Sequence, residues 1–457
     1  MNRTEIRFWR GQEGMGILIE IICGKDRVIL DFGAPFEPLD NIYDGTIRPR
    51  SVNKVKDALL LKKILPIPGI YDLTDLQGYP LQSFQETAVS TAVFISHLHL
   101  DHMSEIDKFS KQIPVYIHSD GIKLYKALND FENRSDERML VPFDYHETIE
   151  VGSIIVTPFF SDHPCPGSAG FLIRTEDVLI YYSGDLRFHG LNQVKAFKEM
   201  EQLSDKQIDL LIVDATTVSP AEFHLDPDKY RSPARDLPEG CISENDIYND
   251  IIRQLRLNRR LGIFNQYIRD VDMMVNMTAV AKTLKRTIVF EPEYAYVLKK
   301  VRNLTVPIYL FKTEDEKIMR YLSGNPVVSA SDIKDNPSGW LLQNSYPHII
   351  TLSDLEGIEA DYFHLFGEPL TEKEKQYQIM REIIEKLGFR FHSYMNLYSF
   401  SHSYPSQLAY MIEKINAKSV VAVHSKKPEN LNPVNSTQFF PEPEKRYHLT
   451  DGRLEES

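Results

Sequence analysis

Apolar positions along the chain fall into short runs separated by polar turns. Residues 16–23 and 28–32 are β-rich runs divided by Gly24-Lys-Asp-Arg27, which reads as a hairpin. Residues 40–85 carry Pro49, Pro66, Pro68, Gly69, Gly78 and Pro80 without a clear period. They are expected to form a long surface loop with one short helix near 53–63. From residue 92 the runs at 92–96, 115–118, 154–160, 170–174, 178–183 and 210–214 read as strands. Helical patterns near 103–111, 120–129 and 192–204 alternate with them, which predicts α/β layers.

The pattern changes after Thr217. Residues 218–247 are rich in Pro, Asp and Glu. Helical patterns at 245–260, 270–284 and 291–302 then alternate with strands at 261–265, 287–290 and 306–311. After Tyr394 the first style resumes, with a helix at 404–416 and a strand at 419–423. The simplest architecture is one α/β unit, residues 1–217 and 396–457, interrupted by an inserted unit at 218–395. No repeat of fixed period occurs.

With 457 residues, 42% hydrophobic and 26% charged, the composition is that of a folded chain with a sizeable core. It excludes a disordered chain, a collagen-like fibre and a small disulfide scaffold. Cys23, Cys165 and Cys241 are far apart, so no disulfide framework or thiolate zinc site is indicated. A reducing, cytoplasmic setting is expected. The first residues do not resemble a signal peptide, and no apolar run reaches about eighteen residues, so no membrane-spanning helix is expected. The net charge of −13 argues against broad coating of nucleic acid but leaves room for a local cleft.

The densest chemistry is His97-Leu-His-Leu-Asp-His102, at the end of a strand-like run. Imidazoles with a carboxylate are what zinc or manganese takes where no thiolate is present. Further candidates stand at the ends of other strand runs: His163, Asp185 in Gly184-Asp185, and His424. A carboxylate such as Asp185 can bridge two ions, an arrangement suited to phosphoryl chemistry. His118 and His348 are isolated and read as structural.

The His-x-His-x-Asp-His signature, His163 and Gly184-Asp185 resemble the metallo-β-lactamase fold, and the likeness extends further. Gly14-Met-Gly16, Leu30-Asp-Phe-Gly33 and His163-Pro-Cys-Pro-Gly-Ser-Ala-Gly170 are similar to its nuclease branch. Ile212-Val-Asp214-Ala-Thr-Thr217, Ser399-Phe-Ser-His402-Ser and Ala422-Val-His424-Ser resemble motifs A, B and C of the β-CASP group, and His424 follows His402 by 22 residues. The resemblance implies a metallo-β-lactamase αββα sandwich interrupted by a β-CASP α/β domain at 218–395. It also implies two divalent ions, zinc foremost, with manganese the other candidate. His97, His99 and His163 would hold one ion, and Asp101, His102 and His424 the other, with Asp185 bridging. A water shared by both ions would attack phosphorus. His402 would contact the scissile phosphate, and Asp214 would orient a ligand histidine or the water. The catalytic set implied is thus Asp101, Asp185, His402 and Asp214.

A histidine at motif C marks the RNA-acting members, so the resemblance implies a ribonuclease on single-stranded RNA, similar to the ribonuclease J group. No membrane partner is expected, and a homodimer is compatible with this reading. The chain departs from that group at Ser401, where glycine is usual, at Ser403-Tyr404, and in lacking a Pro-x-Pro-Gly-Asn-Glu segment. Both serines are expected to crowd the side of an approaching phosphate. Nothing after about residue 450 is expected to form that group's extra C-terminal domain. The alternatives are a hydrolase of a small phosphodiester or ester, or an inactive partner in RNA processing. Arg253, Arg256 and Arg260, with Arg259, form a basic helical stripe that either tracks a phosphate backbone or serves as a solvated, acid-paired face.

Overall fold

The computed structural model describes residues 3–11, 16–35, 47, 50, 52–132, 138–219, 232–237, 240–310, 316–394 and 401–457. Gly14, Ser399 and Phe400 of the sequence motifs lie outside the described residues, as do 395–396 and much of 218–247.

Two mixed sheets face each other. The first has eight strands, in the order Arg453–Glu456, Arg446–Thr450, Thr4–Arg10, Leu18–Cys23, Asp26–Leu30, Ser90–Phe94, Val115–His118 and Leu140–Phe143. The second has seven, in the order Thr437–Gln438, Ser419–Val423, Leu210–Asp214, Leu179–Tyr182, Ala169–Arg174, Ile154–Phe160 and Ile149–Val151. Alternation along Thr4–Arg10 turns Ile6 and Phe8 inward, where they meet Phe171, Ile180, Ile212 and Val421 of the opposite sheet. The outer face of the second sheet is covered by helices Gln193–Ser204 and Pro405–Ile415, through Phe197, Met200, Leu408 and Met411. Helix Ser119–Glu132 covers Val115 and Ile117 of the first. With helices on both outer faces, Leu210–Asp214 is buried at every position, as a doubly covered strand requires.

Residues 261–393 contribute a separate parallel sheet, in the order Thr287–Val289, Trp340–Gln343, Leu261–Gln266, Ala360–Leu365 and Arg390–Ser393. After it, Ser419–Val423 rejoins the second sheet by pairing in parallel with Leu210–Asp214.

Two expectations fail locally. No continuous helix spans 103–111: a short one, Leu100–Met103, gives way to turns. Ile106 and Phe109 imitate helical spacing, but the backbone is spent elsewhere, Glu105 N donating to Phe32 O (3.1 Å) and Ser110 N to Ile70 O (2.8 Å). The stretch 40–85 is not all surface loop either. Besides the expected helix, at Lys54–Leu60, it holds a second at Leu73–Leu76, and Ile67, Ile70 and Tyr71 are buried in the core under the first sheet.

Candidate metal centre

The ends of five strands converge on one spot. Ser90–Phe94 leads into His97, and His99 sits at the start of the short helix carrying Asp101 and His102. Ile154–Phe160 leads to His163, Leu179–Tyr182 to Asp185, Leu210–Asp214 ends at its own aspartate, and Ser419–Val423 delivers His424. Two glycines permit this crowding. A Cβ on Gly33 would lie 1.8 Å from the Asp101 carbonyl oxygen. Gly184 has φ +56° and would place a Cβ 2.7 Å from Ala169 O, so the turn that aims Asp185 requires glycine.

Donor atoms of His97, His99, His163 and Asp185 all lie within 4.8 Å of one another, and so do those of Asp101, His102 and His424. Asp185 stands between the two groups, its Oδ2 3.6 Å from His97 Nε2 and its Oδ1 3.3 Å from His102 Nε2. A third grouping joins Asp185, Asp214, His402 and His424.

In each candidate ligand histidine one ring nitrogen is held and the other faces the cluster. His97 Nδ1 meets Ser96 Oγ at 3.0 Å. His99 Nε2 donates to Asp270 (2.7 Å), leaving Nδ1 beside His163 Nε2 at 3.1 Å. His102 Nδ1 donates to Asp31 (2.8 Å), and His163 Nδ1 donates to Ser401 O (2.9 Å). His424 Nδ1 donates to Thr216 Oγ1 (2.6 Å), which itself donates to Asp214. Outer partners of this kind fix the tautomer of metal-bound imidazoles. Among the described residues His97 Nε2 and His102 Nε2 are buried with no hydrogen-bond partner, a costly arrangement that one cation in each group would relieve. The donor set therefore fits two divalent cations.

Charge divides the centre. Burial pushes the imidazoles of His97 and His163 well below their usual range, so both are neutral and ready to ligate. Burial opposes the charged forms of His102 and His424 too, but Asp185 and Asp101 outweigh it. His102 is raised well above its usual value and His424 to about 9. The reciprocal effect holds Asp185 well below the carboxylate range despite burial, and Asp101 at about 2.

His402 lies beside this set, its Nδ1 2.8 Å from Asp214 Oδ2 and 3.9 Å from Asp185 Oδ2. Asp214 thus holds His402 directly and reaches His424 through Thr216. Ser403 does not crowd the site as expected: it is fully buried, with its hydroxyl donating to Leu186 O (3.1 Å). Arg253 pairs with Asp250, and Arg260 with Glu359 at 3.3 Å, so two members of the basic stripe already have acidic partners.

Sequence reasoning missed three residues. Asp31 is fully buried and accepts from His102, Ser96 and Tyr182. Its signal was the Leu-Asp-Phe-Gly motif. Thr216 stands within the motif A stretch, which assigns it no role of its own. Asp270 carries no motif and reaches His99 from the loop after Leu261–Gln266.

Residues 66–240 match a family described as Beta-lactamase superfamily domain. Ribonuclease J of Pyrococcus abyssi is 25% identical over 136 residues, so the chain covers 30% of that protein's length and 28% of its own. A protein of unknown function from Enterococcus faecalis V583 superimposes with a TM-score of 0.79, over 98% of this chain and 100% of that one, at 23% identity. The metallo-β-lactamase fold protein YhfI of Bacillus subtilis gives a TM-score of 0.29 over 47% of this chain and 71% of that one, at 15% identity. The chain is an α/β protein with a metallo-β-lactamase-like fold, and its His/Asp clusters are consistent with a binuclear metal site.

Proposed function

We propose that the protein is a metal-dependent phosphodiester hydrolase, a ribonuclease acting on single-stranded RNA. On this reading residues 1–217 and 396–457 are the metallo-β-lactamase unit, and 218–395 are a β-CASP-type insertion roofing the metals. His97, His99 and His163 would hold one ion and Asp101, His102 and His424 the other, with Asp185 between them. When bound, such ions supply Lewis-acid charge and lower the pKa of a shared water.

One observation carries the reading to phosphate chemistry: His402 stands outside both ligand sets but next to their shared carboxylate. Burial disfavours its imidazolium, yet Asp214 and Asp185 raise its pKa above the usual value. It can therefore keep a proton near neutral pH and pass it to a leaving oxygen. Asp214 fixes the ring through Nδ1 and leaves Nε2 to face substrate. Motif C supports RNA over DNA, as does the stretch of likeness to ribonuclease J.

The deciding experiment compares labelled single-stranded RNA, bis-p-nitrophenyl phosphate and a lactone with the metal-loaded protein. RNA cleavage that drops about 10²–10⁴-fold in His402→Ala, with metal content unchanged, is the expected result. A lactone hydrolysed while RNA stays intact sinks the ribonuclease reading.

A further inference from the structure

Tyr267 packs its ring 5.5 Å from that of His99, and its other surroundings belong to a cavity of about 180 Å³ in the 261–393 unit. This cavity lies at the carboxyl ends of the parallel strands. Leu261–Gln266 and Ala360–Leu365 are neighbours there, and the chain leaves the first toward Thr287–Val289 and the second toward Arg390–Ser393, in opposite directions along the sheet. Adjacent parallel strands whose connections diverge leave a crevice, the usual place for a ligand in an open α/β sheet.

The lining is specific. Tyr267, Tyr294 and Tyr346 supply aromatic surface, with Glu293 and Glu368 beside them. Gln266 is only 1% exposed, and neither Oε1 nor Nε2 has a hydrogen-bond partner among the described residues. A buried carboxamide unsatisfied at both atoms is rare and calls for a partner with an adjacent donor and acceptor. Donor atoms of Glu291, Glu293 and His348 also cluster here, but Glu291 is already used. Its oxygens accept from Asn344, from the Ser345 amide and hydroxyl, and from His348, which holds the loop bearing Tyr346. His348 is structural in that sense, as the sequence implied.

We propose that this cavity is a nucleobase pocket that reads one base of the substrate strand, its edge paired with Gln266 and its faces packed on the tyrosines. The proposal rests on the ribonuclease reading above. A carboxamide presents a donor and an acceptor side by side, the pattern that pairs with a base edge. Tyrosine faces add stacking. Glu293 and Glu368 repel a bare phosphate but accept from an exocyclic amine, so the pocket favours adenine, guanine or cytosine over uracil.

Calorimetric titration of the metal-loaded protein with the four nucleoside 5′-monophosphates tests this. The phosphate is common to all four, so differences among them report the base. An amino-bearing nucleotide should bind about tenfold tighter than uridine monophosphate, and Gln266→Leu should erase that preference. Tyr346→Ala, at a half-exposed position where folding is safe, should weaken all four by about tenfold. It decides the matter if Gln266→Leu fails to fold. Equal affinities that neither substitution changes, or no nucleotide binding at all, overturn the pocket. RNA cleaved without any base preference defeats the pocket alone. Base-selective binding with intact RNA defeats the ribonuclease reading and leaves the pocket standing.

Discussion

At the scale of single residues, Asp185 is the centre's common member, within 4 Å of His97, His102 and His402. Asp185→Asn keeps its shape but removes the charge that both ion sites share. Elemental analysis should then find both ions lost together; retention of one at full occupancy would show that Asp185 serves a single site. The protons matter as much. His424, raised to about 9, carries a proton at neutral pH and must release it before its nitrogen can take a cation. Metal affinity should therefore rise with pH up to about 9 and fall by about tenfold per unit below it for this one proton. Chelator competition between pH 6 and 9 measures that slope, and a flat profile would remove His424 from the ligand set. The candidate ligands were legible because strands ended in histidine or aspartate at positions the chain repeats. Their outer partners were not. Asp270 and Thr216 become neighbours of His99 and His424 only through folding, since 171 and 208 residues separate the members of each pair.

At the scale of elements, the metal loop is held by backbone approach as much as by side chains. Ile17 N donates to Asp101 O (3.0 Å) and Phe32 N to His102 O (2.8 Å), so Gly33 has no room for a methyl group. Gly33→Ala should displace the Asp101–His102 turn, costing about 1–3 kcal/mol of stability as overpacking does and lowering metal content. Unchanged melting and full metal occupancy would show that the turn tolerates the shift. Strands with plain apolar runs, such as Ile154–Phe160 and Ser419–Val423, were readable to the residue. Ala360–Leu365 was not, because Asp361 and His364 look like surface residues in the sequence. Both are fully buried, Asp361 accepting from His392 (2.8 Å) and His364 donating to Pro369 O (3.1 Å). Hydropathy cannot see a polar group whose partner is brought to it only by folding.

At the scale of the molecule, the metal centre depends on how the 261–393 sheet and its flanking helices seat against the two facing sheets. Helix Pro292–Arg302 packs on helix Ser119–Glu132, where Arg302 donates to Asp120, and two further contacts lie close to the ligand-bearing turns. The loop after Leu261–Gln266 reaches the metal turn through Asp270 and through Arg269, which donates to Leu98 O at 3.1 Å. The other centres on Arg187, 2% exposed, which bonds Glu244 at 2.8 Å and stands 3.5 Å from Asp162, the residue before His163. Glu244 opens helix Glu244–Asn258 and also accepts from Tyr248 and Asn276, so the arginine ties a helix of that unit to the turn carrying a candidate ligand. Removing one partner of a buried ion pair strands the others without solvent. Arg187→Ala should therefore cost about 3–5 kcal/mol, far beyond a surface substitution. A triple replacement by uncharged residues, Arg187→Met with Glu244→Gln and Asp162→Leu, should recover much of that stability, since the pair's Coulomb energy mainly offsets its own desolvation. The carboxamide oxygen at position 244 still accepts from Tyr248 and Asn276. Chemical denaturation measures both. If the triple replacement recovers stability and metal content alike, the cluster only fills space between the units. Stability restored with metal content still low is the expected outcome, because the turn bearing His163 would have lost the charge contact that orients it.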